Sequence, residues 1–492
     1  MTTASNLLWI LPLIPVGVGL GMLLLRDRRL LAALDVGSSA AILALASALA
    51  WKVAAVGPLS AAGSLRADAV TVVFLLLIGF LALSVSISTI GWMRQALARA
   101  EIREGRLPGY HALVQGFIAT MLVTVLADNL GILWIAMEGT TITSAVLVGF
   151  HGQKNSLEAA WKYIIVTTIG ISFGLFGTVL IYGAAAHAQG GVFAGAMNWS
   201  SIVAISGQLD PGIVRIGFIF ALIGYGTKAG LAPMHMWLPD AHSQAPTPVS
   251  ALLSGALIKC ALFGIIRFYT IACGACGPAF CENLLLIFGL VSVVVAAPFI
   301  IVQHDLKRLL GYHSVEHVGI IALGLGFGGP LGIYGALLHT LNHGVTKALV
   351  FLIAGDAIHR YDSRDMRMMR GFLGVAPWAG TLLFMGAFSL AGTPPFSIFI
   401  SEWIILRAGL ASGHPVAVAV LLVMMVIIFA GLIHHVGQMI FGAAGEAASR
   451  EPEARFSRLG LLLLAAAMVL LGVCVPASLD RLLALAAEII HG

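Results

Sequence analysis

The chain has 492 residues, of which 59% are hydrophobic and only 10% charged, with 5 cysteines and a formal net charge of +5. A soluble globular domain carries about 25% charged residues, so this composition, with a mean hydropathy of +0.99, excludes one. The basic residues are dispersed through short loops, which excludes a nucleic-acid surface.

Apolar runs of about 20 residues, the length that crosses a bilayer, recur from end to end. The chain reads as an all-α polytopic membrane protein. Fourteen spans are predicted, at 6–25, 31–51, 69–92, 112–129, 131–150, 158–183, 212–239, 249–272, 284–303, 308–328, 331–357, 373–409, 415–442 and 457–476. The first is read as a retained span, because no basic stretch precedes it and no small-residue cleavage signal follows.

The positive charges test that count. Of the 27 Lys and Arg residues, 18 fall in loops after odd-numbered spans. They are Arg26, Arg28, Arg29, Arg94, Arg99, Arg103, Arg106, Lys154, Lys162, Lys307, Arg308, Arg360, Arg364, Arg367, Arg370, Arg450, Arg455 and Arg458. Only Lys52, Arg66, Arg215, Arg407 and Arg481 fall on the other side. The positive-inside rule then puts both termini on the outer, periplasmic side of a bacterial-type inner membrane and supports an even number of spans. Lys228, Lys259, Arg267 and Lys347 lie within spans.

Cys273, Cys276 and Cys281 share the outward loop CGACGPAFCEN. A disulfide there needs an oxidising compartment; unpaired thiols are the default expectation, and no metal site is expected from three thiols in a short loop. Cys260 and Cys474 read as small apolar fillers.

The chemistry sits in ionisable residues inside spans. A charged side chain near the bilayer centre costs about 2.5–3.5 kcal/mol on insertion scales and is kept mostly where it faces a bundle interior or water. Glu138, Lys228, Lys259, Glu316, His317, His339, His343, Lys347 and Glu402 are such residues. His339, His343 and Lys347 recur every four residues, so they line one stripe of one helix. Imidazoles both give and accept protons near neutral pH, and the stripe points to a hydrated proton path. The plainer alternatives are hydrogen bonds between helices for the histidines and a closed structural ion pair for Glu138 and Lys228.

Two spans contain breakers. Gly226, Gly230 and Pro233 interrupt span 7, and Gly392, Pro394 and Pro395 interrupt span 12. Proline removes a backbone donor and clashes with the preceding turn. Unwound backbone at membrane depth is tolerated only when buried in protein or facing a cavity. Lys228 adjoins the first break and Glu402 the second. Interrupted spans at corresponding positions mark inverted repeats in transporters, giving two inverted five-helix repeats, spans 4–8 and 9–13. The expected division is 1–110 for spans 1–3, 111–273 and 274–442 for the repeats, and 443–492 for span 14 and a tail.

The stretch from about 110 to 410 resembles the antiporter-like membrane subunits shared by respiratory complex I, Mrp cation/proton antiporters and membrane-bound hydrogenases. GTKAGLAPMHMWLPDAHSQAPTPVSALLSG carries the resemblance. SLEAAWKYIIVTTIG, VQHDLKRLLGYHSVEHVGIIALGLGFGGPLGIYGALLHTLNHGVTKAL and AGTPPFSIFISEW are similar to one branch, the large subunit of hydrogenase-4 and formate hydrogenlyase type complexes. The resemblance implies a proton path in the membrane plane. Glu138 would pair with Lys228, Lys259 would be the central base, and His339, His343 and Lys347 would continue the path towards Glu402. His317 would join that path, and His242 and Glu316 would give access to it.

The chain has no cysteine run for an iron–sulfur cluster and no dinucleotide fingerprint, so no cofactor is expected. The resemblance implies partners instead: other membrane subunits and a peripheral redox arm, of the nickel–iron hydrogenase or quinone-reducing kind, within a lipid bilayer. Two rivals remain, a sodium/proton antiporter subunit of the Mrp kind and a scaffold subunit whose buried charges conduct nothing.

Overall fold

The computed structural model describes residues 2–61, 63–193, 195–443, 448–449 and 455–492. Arg450 lies outside the described residues, as does the side chain of Arg455. The longer helices are α1 (Thr2–Met22), α2 (Arg28–Val56), α3 (Ala69–Ala98), α4 (Leu107–Leu126), α5 (Leu130–Val148) and α6 (Lys154–Ala188). They continue with α7 (Pro211–Ala229), α8 (Trp237–Gln244), α9 (Thr247–Cys276), α10 (Pro278–Val302), α11 (Leu306–Phe327) and α12 (Gly329–Tyr361). The last five are α13 (Pro377–Leu390), α14 (Ser397–Ala411), α15 (Pro415–Ile440), α16 (Arg455–Val473) and α17 (Ala477–His491).

The helix starts follow local sequence. Asp27, Asp68, Asn129, Asp210 and Asp305 each precede a helix and accept its first free N–H groups, which relieves donors that have no partner inside the helix. Sequence reading did not anticipate a small hairpin, β1 (Leu59–Ala61) with β2 (Leu65–Ala67), between α2 and α3.

Ten helices among the described residues are long and apolar enough to cross a membrane, or eleven if α16 and α17, bent by 73°, count as one. The expected fourteen exceeds this. The Asn6–Met22 part of α1 is short, and α13 with 14 residues reaches only about 21 Å. The 22-residue α11 carries Lys307, Arg308 and Glu316. The expected tail is instead partly helical: α17 buries Leu482, Leu483, Ala486, Ala487 and Ile490 and packs against α12 and α3.

Burial separates the centre from the rim. α9 and α12 are buried over their whole apolar length. α6 instead exposes Trp161, Ile165, Ile169 and Phe173, spaced by four on one face, as a lipid-facing helix does. Lys259, Glu316, His317, His339, His343 and Lys347 therefore sit on helices shielded by other helices, whereas Glu138 and Glu402 sit on helices with one exposed apolar face.

One pattern of backbone bonds occurs twice. The Leu130 N–H donates to the Met197 carbonyl and the Trp199 N–H to the Asp128 carbonyl; the Leu306 N–H donates to the Arg364 carbonyl and the Met366 N–H to the His304 carbonyl. The first set ties the start of α5 to the loop after α6. The second ties the start of α11 to the loop after α12.

Candidate functional site

Lys228 sits in the last turn of α7 because of how that helix stops. Gly230 is left-handed (φ 84); its N–H donates to the Thr227 carbonyl at 3.2 Å, and the Leu231 N–H donates to the Gly226 carbonyl at 2.9 Å. This glycine-terminated end satisfies carbonyls that would otherwise be orphaned, and the Trp237 indole N–H adds a 2.8 Å bond to the Thr227 carbonyl. The break was expected from Pro233, but α7 has already ended at Ala229, so the missing proline donor falls after the helix. Gly226 lies inside α7 as an acceptor rather than in the break.

Span 12 stops in the same way. Gly392 (φ 65) donates to the Ser389 carbonyl at 3.0 Å, and the Thr393 N–H donates to the Phe388 carbonyl at 3.1 Å. Pro394 and Pro395 follow before α14 begins at Ser397. A side chain at Gly392 would collide with the Glu402 carboxylate, so glycine here serves both the turn and the approach of Glu402.

The ammonium of Lys228 is fully buried. It donates to the Thr141 hydroxyl at 2.6 Å and the Tyr163 hydroxyl at 2.8 Å. Thr141 donates in turn to Glu138 Oε2 at 3.1 Å, and Thr168 donates to Oε1 at 2.8 Å. The expected direct pair of Glu138 with Lys228 is thus a bridged one. Thr141 lies three residues after Glu138 on one face of α5, and its hydroxyl reaches the ammonium first.

The second group is denser. A π-helical stretch, Leu253–Leu257, precedes Lys259 in α9, a distortion frequent at functional sites. Lys259 Nζ donates to the Ser254 carbonyl at 2.6 Å and lies 2.8 Å from His343 Nδ1. The His343 and His317 rings have centroids 4.6 Å apart. His317 Nδ1 is 3.1 Å from His339 Nε2 and 4.0 Å from Glu402 Oε1. His339 Nδ1 lies 2.9 Å from the Ser401 hydroxyl, and Glu402 Oε2 is buried with no hydrogen-bond partner among the described residues. Lysine, three imidazoles and a carboxylate thus form one contiguous row across α9, α12, α11 and α14.

The remaining expected residues border this row. Lys347 donates to the Leu310 carbonyl at 2.5 Å, so it turns to the backbone of α11 while His339 and His343 turn to His317. Glu316 Oε2 lies 2.8 Å from His313 Nδ1. His242 is buried and stacked on Phe351 at 5.1 Å, with neither ring nitrogen hydrogen-bonded among the described residues. Lys228 makes its two side-chain bonds within the first group and none to the second. All five cysteines are free.

Two sets of donors, His313–Glu316–His317 and His317–His339–Glu402, come within 4.8 Å of one another. They have the residue types of a metal site. The His317–His339 contact, at a distance where one proton is shared between two ring nitrogens, also needs no ion.

The family model described as NADH:quinone oxidoreductase/Mrp antiporter, transmembrane, matches residues 127–428. The chain belongs to this family. It is 36% identical over 375 residues to the hydrogenase-4 component F homolog of Methylacidiphilum infernorum, covering 76% of this chain and 78% of that one. It is 31% identical over 352 residues to hydrogenase-4 component B of Escherichia coli, spanning 69% of this chain and 50% of that longer protein. Among solved structures it superposes on a chain of the archaeal membrane-bound sulfane sulfur reductase with a TM-score of 0.86 at 23% identity, covering 99% of this chain and 98% of the other. A chain of the Mrp complex from Dietzia sp. gives a TM-score of 0.85 at 20% identity, with both chains fully covered. These two establish the shared fold.

The stretch matching the NADH:quinone oxidoreductase/Mrp antiporter family contains both the Glu138–Lys228 group and the row, and leaves α1–α4 outside. Within it, sequence reasoning missed several residues. His313 lies four before His317, a spacing that could have revealed it. Thr141, Ser144 and Tyr163 give no such signal, since hydroxyls are ordinary in membrane helices. Lys307 was assigned to a loop, yet it is buried and donates to the Ala245 carbonyl at 2.8 Å and the Ser250 hydroxyl at 3.2 Å.

Lys307 also lines a cavity of about 310 Å3 shared with Arg99, Glu101, His151, His359 and Arg364. His359 Nε2 is 3.5 Å from Glu101, and that imidazole holds the Glu101 carboxyl below its usual range. Burial, with the Lys307 cation adding to it, pushes the His151 imidazole down to about 4. From this cavity Lys307 reaches Ser250, whose hydroxyl donates to the His242 carbonyl at 2.9 Å.

Proposed function

We propose that this chain is the proton-translocating membrane subunit of a redox-driven complex of the hydrogenase-4, formate hydrogenlyase or complex I kind. The observation that carries the reading is the buried row Lys259–His343–His317, in which His317 meets both His339 and Glu402, built from groups that both take up and release protons. Protons would pass between the Glu138–Lys228 end and Glu402. The Thr141 bridge would let Glu138 and Lys228 separate or close, changing how readily the ammonium gives up its proton. Each charge moved against 100 mV costs about 2.3 kcal/mol, and with no redox motif in this chain the energy would come from a redox partner.

On this reading the five spans from α4 to α9 and the five spans from α10 to α15 are inverted repeats, 111–273 and 274–442, flanked by 1–110 and 443–492. The twice-occurring backbone bonds and the two glycine-terminated breaks support that division. Fourteen crossings with both termini on the periplasmic side of an inner membrane fit the distribution of positive charge.

A second reading, an Mrp-type sodium/proton antiporter subunit, draws on 29% identity over 359 residues to a Na(+)/H(+) antiporter protein of Alkalihalophilus pseudofirmus. A row of imidazoles and lysines suits protons better than a hydrated cation, which favours carboxylate and carbonyl oxygens. The deciding experiment is Lys228→Ala in the intact complex, assayed for proton uptake by inverted vesicles with and without sodium. Proton coupling should vanish while the complex assembles. Sodium-dependent pH changes would support the antiporter reading, and unimpaired coupling would support a scaffold.

A further inference from the structure

We infer that a second site, outside the buried row, binds the phosphate headgroup of an anionic phospholipid. It lies among α2, α3 and α4, ahead of the stretch that matches the family. A cavity of about 490 Å3 is formed there. Its rim carries Arg28 and Arg29 from the first turn of α2 and Arg94 near the end of α3. Arg29 and Arg94 make no ion pair among the described residues. Arg28 faces Glu104 at 3.8 Å, with both side chains largely exposed. Three cations line the rim against Glu104, and Asp27, the cap of α2, adds a second carboxylate beside Arg29 and Arg28, so the rim keeps a net positive charge.

Below the rim the wall is apolar, formed by Ile90, Met93 and Leu97 of α3. At the floor His111 meets a buried carboxylate, its Nδ1 3.2 Å from Asp35 Oδ2, while Gln115 donates to the other Asp35 oxygen at 2.6 Å. That carboxylate is satisfied from inside and leaves the rim arginines free for an outside partner.

A cationic rim above an apolar wall fits one chemistry, a phosphate attached to an acyl chain. A free anion would use only the rim, and a neutral lipid only the wall. Arginine matches phosphate oxygens two at a time, and basic pockets between membrane helices on the side with the basic loops attract anionic headgroups. The other end of α2 supplies the contrast. A cavity of about 440 Å3 lies there against Trp51, Leu479 and Leu482, with Arg481 as its one cation. Two cavities of similar size on one helix therefore differ in charge.

The test uses the purified complex containing the full chain, placed in nanodiscs of phosphatidylcholine with or without phosphatidylglycerol, with retained lipid counted by native mass spectrometry. Wild type should retain phosphatidylglycerol over phosphatidylcholine. Each arginine contributes about fivefold, so Arg28→Gln/Arg29→Gln/Arg94→Gln should weaken retention roughly a hundredfold. Arg367→Gln/Arg370→Gln, outside the cavity's lining, should leave it unchanged. If the triple variant fails to assemble, Arg94→Glu replaces it, and a loss of at least about fivefold is expected. The inference is overturned if both lipids are retained equally, or if phosphatidylglycerol survives these substitutions. It is also overturned if inorganic phosphate displaces the lipid at equal concentration, or if an acidic segment of a neighbouring protein fills the cavity.

Discussion

Lys228 and Glu138 do not touch; the Thr141 hydroxyl stands between them, accepting from the ammonium at 2.6 Å and donating to the carboxylate at 3.1 Å. Thr141→Val keeps the volume and removes the link. Lys228 keeps the Tyr163 hydroxyl and Glu138 keeps Thr168, but the connection between them is lost; a hydrogen bond to a charged group is worth about 1.5–3 kcal/mol, so proton transfer per electron should fall about tenfold or more. Thr141→Ser should restore most of it. Proton uptake measured against electron transfer in the same vesicles reads the ratio, and a Thr141→Val complex that couples like wild type would remove the hydroxyl from the path.

Gly392 holds the second break in place. Its φ of 65 and the Glu402 carboxylate beside it leave no room for a side chain. Gly392→Ala should cost about 1–2 kcal/mol from the left-handed backbone alone, and it should displace Glu402. The expected outcome is a melting temperature lower by several degrees, together with impaired proton transfer. Gly374→Ala serves as the control, because nothing lies within 4 Å of the added carbon. Equal stability of the two variants would show that the break tolerates a side chain.

The His151 imidazole, in the loop between α5 and α6, predicts an acid limit. Its folded value is about 4 against about 6.5 in an unfolded chain. The unfolded chain therefore takes up this proton first, and stability that is present above pH 6.5 is lost as pH falls through 4. His151→Gln removes this contribution, so the melting temperature should fall less steeply between pH 6.5 and 4. Parallel curves for wild type and variant would show that His151 takes no part in acid destabilisation.

The row was legible where a residue was anomalous. A lysine or glutamate inside an apolar run is costly, so Lys228, Lys259, Lys347 and Glu402 stood out without any structure. Helical spacing placed His339 and His343 on one stripe, and the structure turns both onto His317. What stayed hidden was mediation: hydroxyls such as Thr141 and Tyr163 cost little in a membrane helix and leave no mark in composition. Lys307 was misplaced for a different reason. It lies at a helix start among true loop cations, and only the packing of α8 and α9 shows that it is buried. The apolar stripe of α17 was present in the sequence too, but a helix of 15 residues is too short to cross, so the span count passed over it.

Lys259 joins the π-helical bend of α9 to the imidazoles of α11 and α12. Lys259→Met keeps a long side chain and removes the proton-carrying nitrogen. The direct measurement is acidification inside inverted vesicles bearing the intact complex, driven by hydrogen, formate or NADH, with electron transfer followed in parallel. The variant complex should assemble, retain electron transfer and lose acidification. Acidification at the wild-type ratio in Lys259→Met vesicles would show that protons cross without this nitrogen.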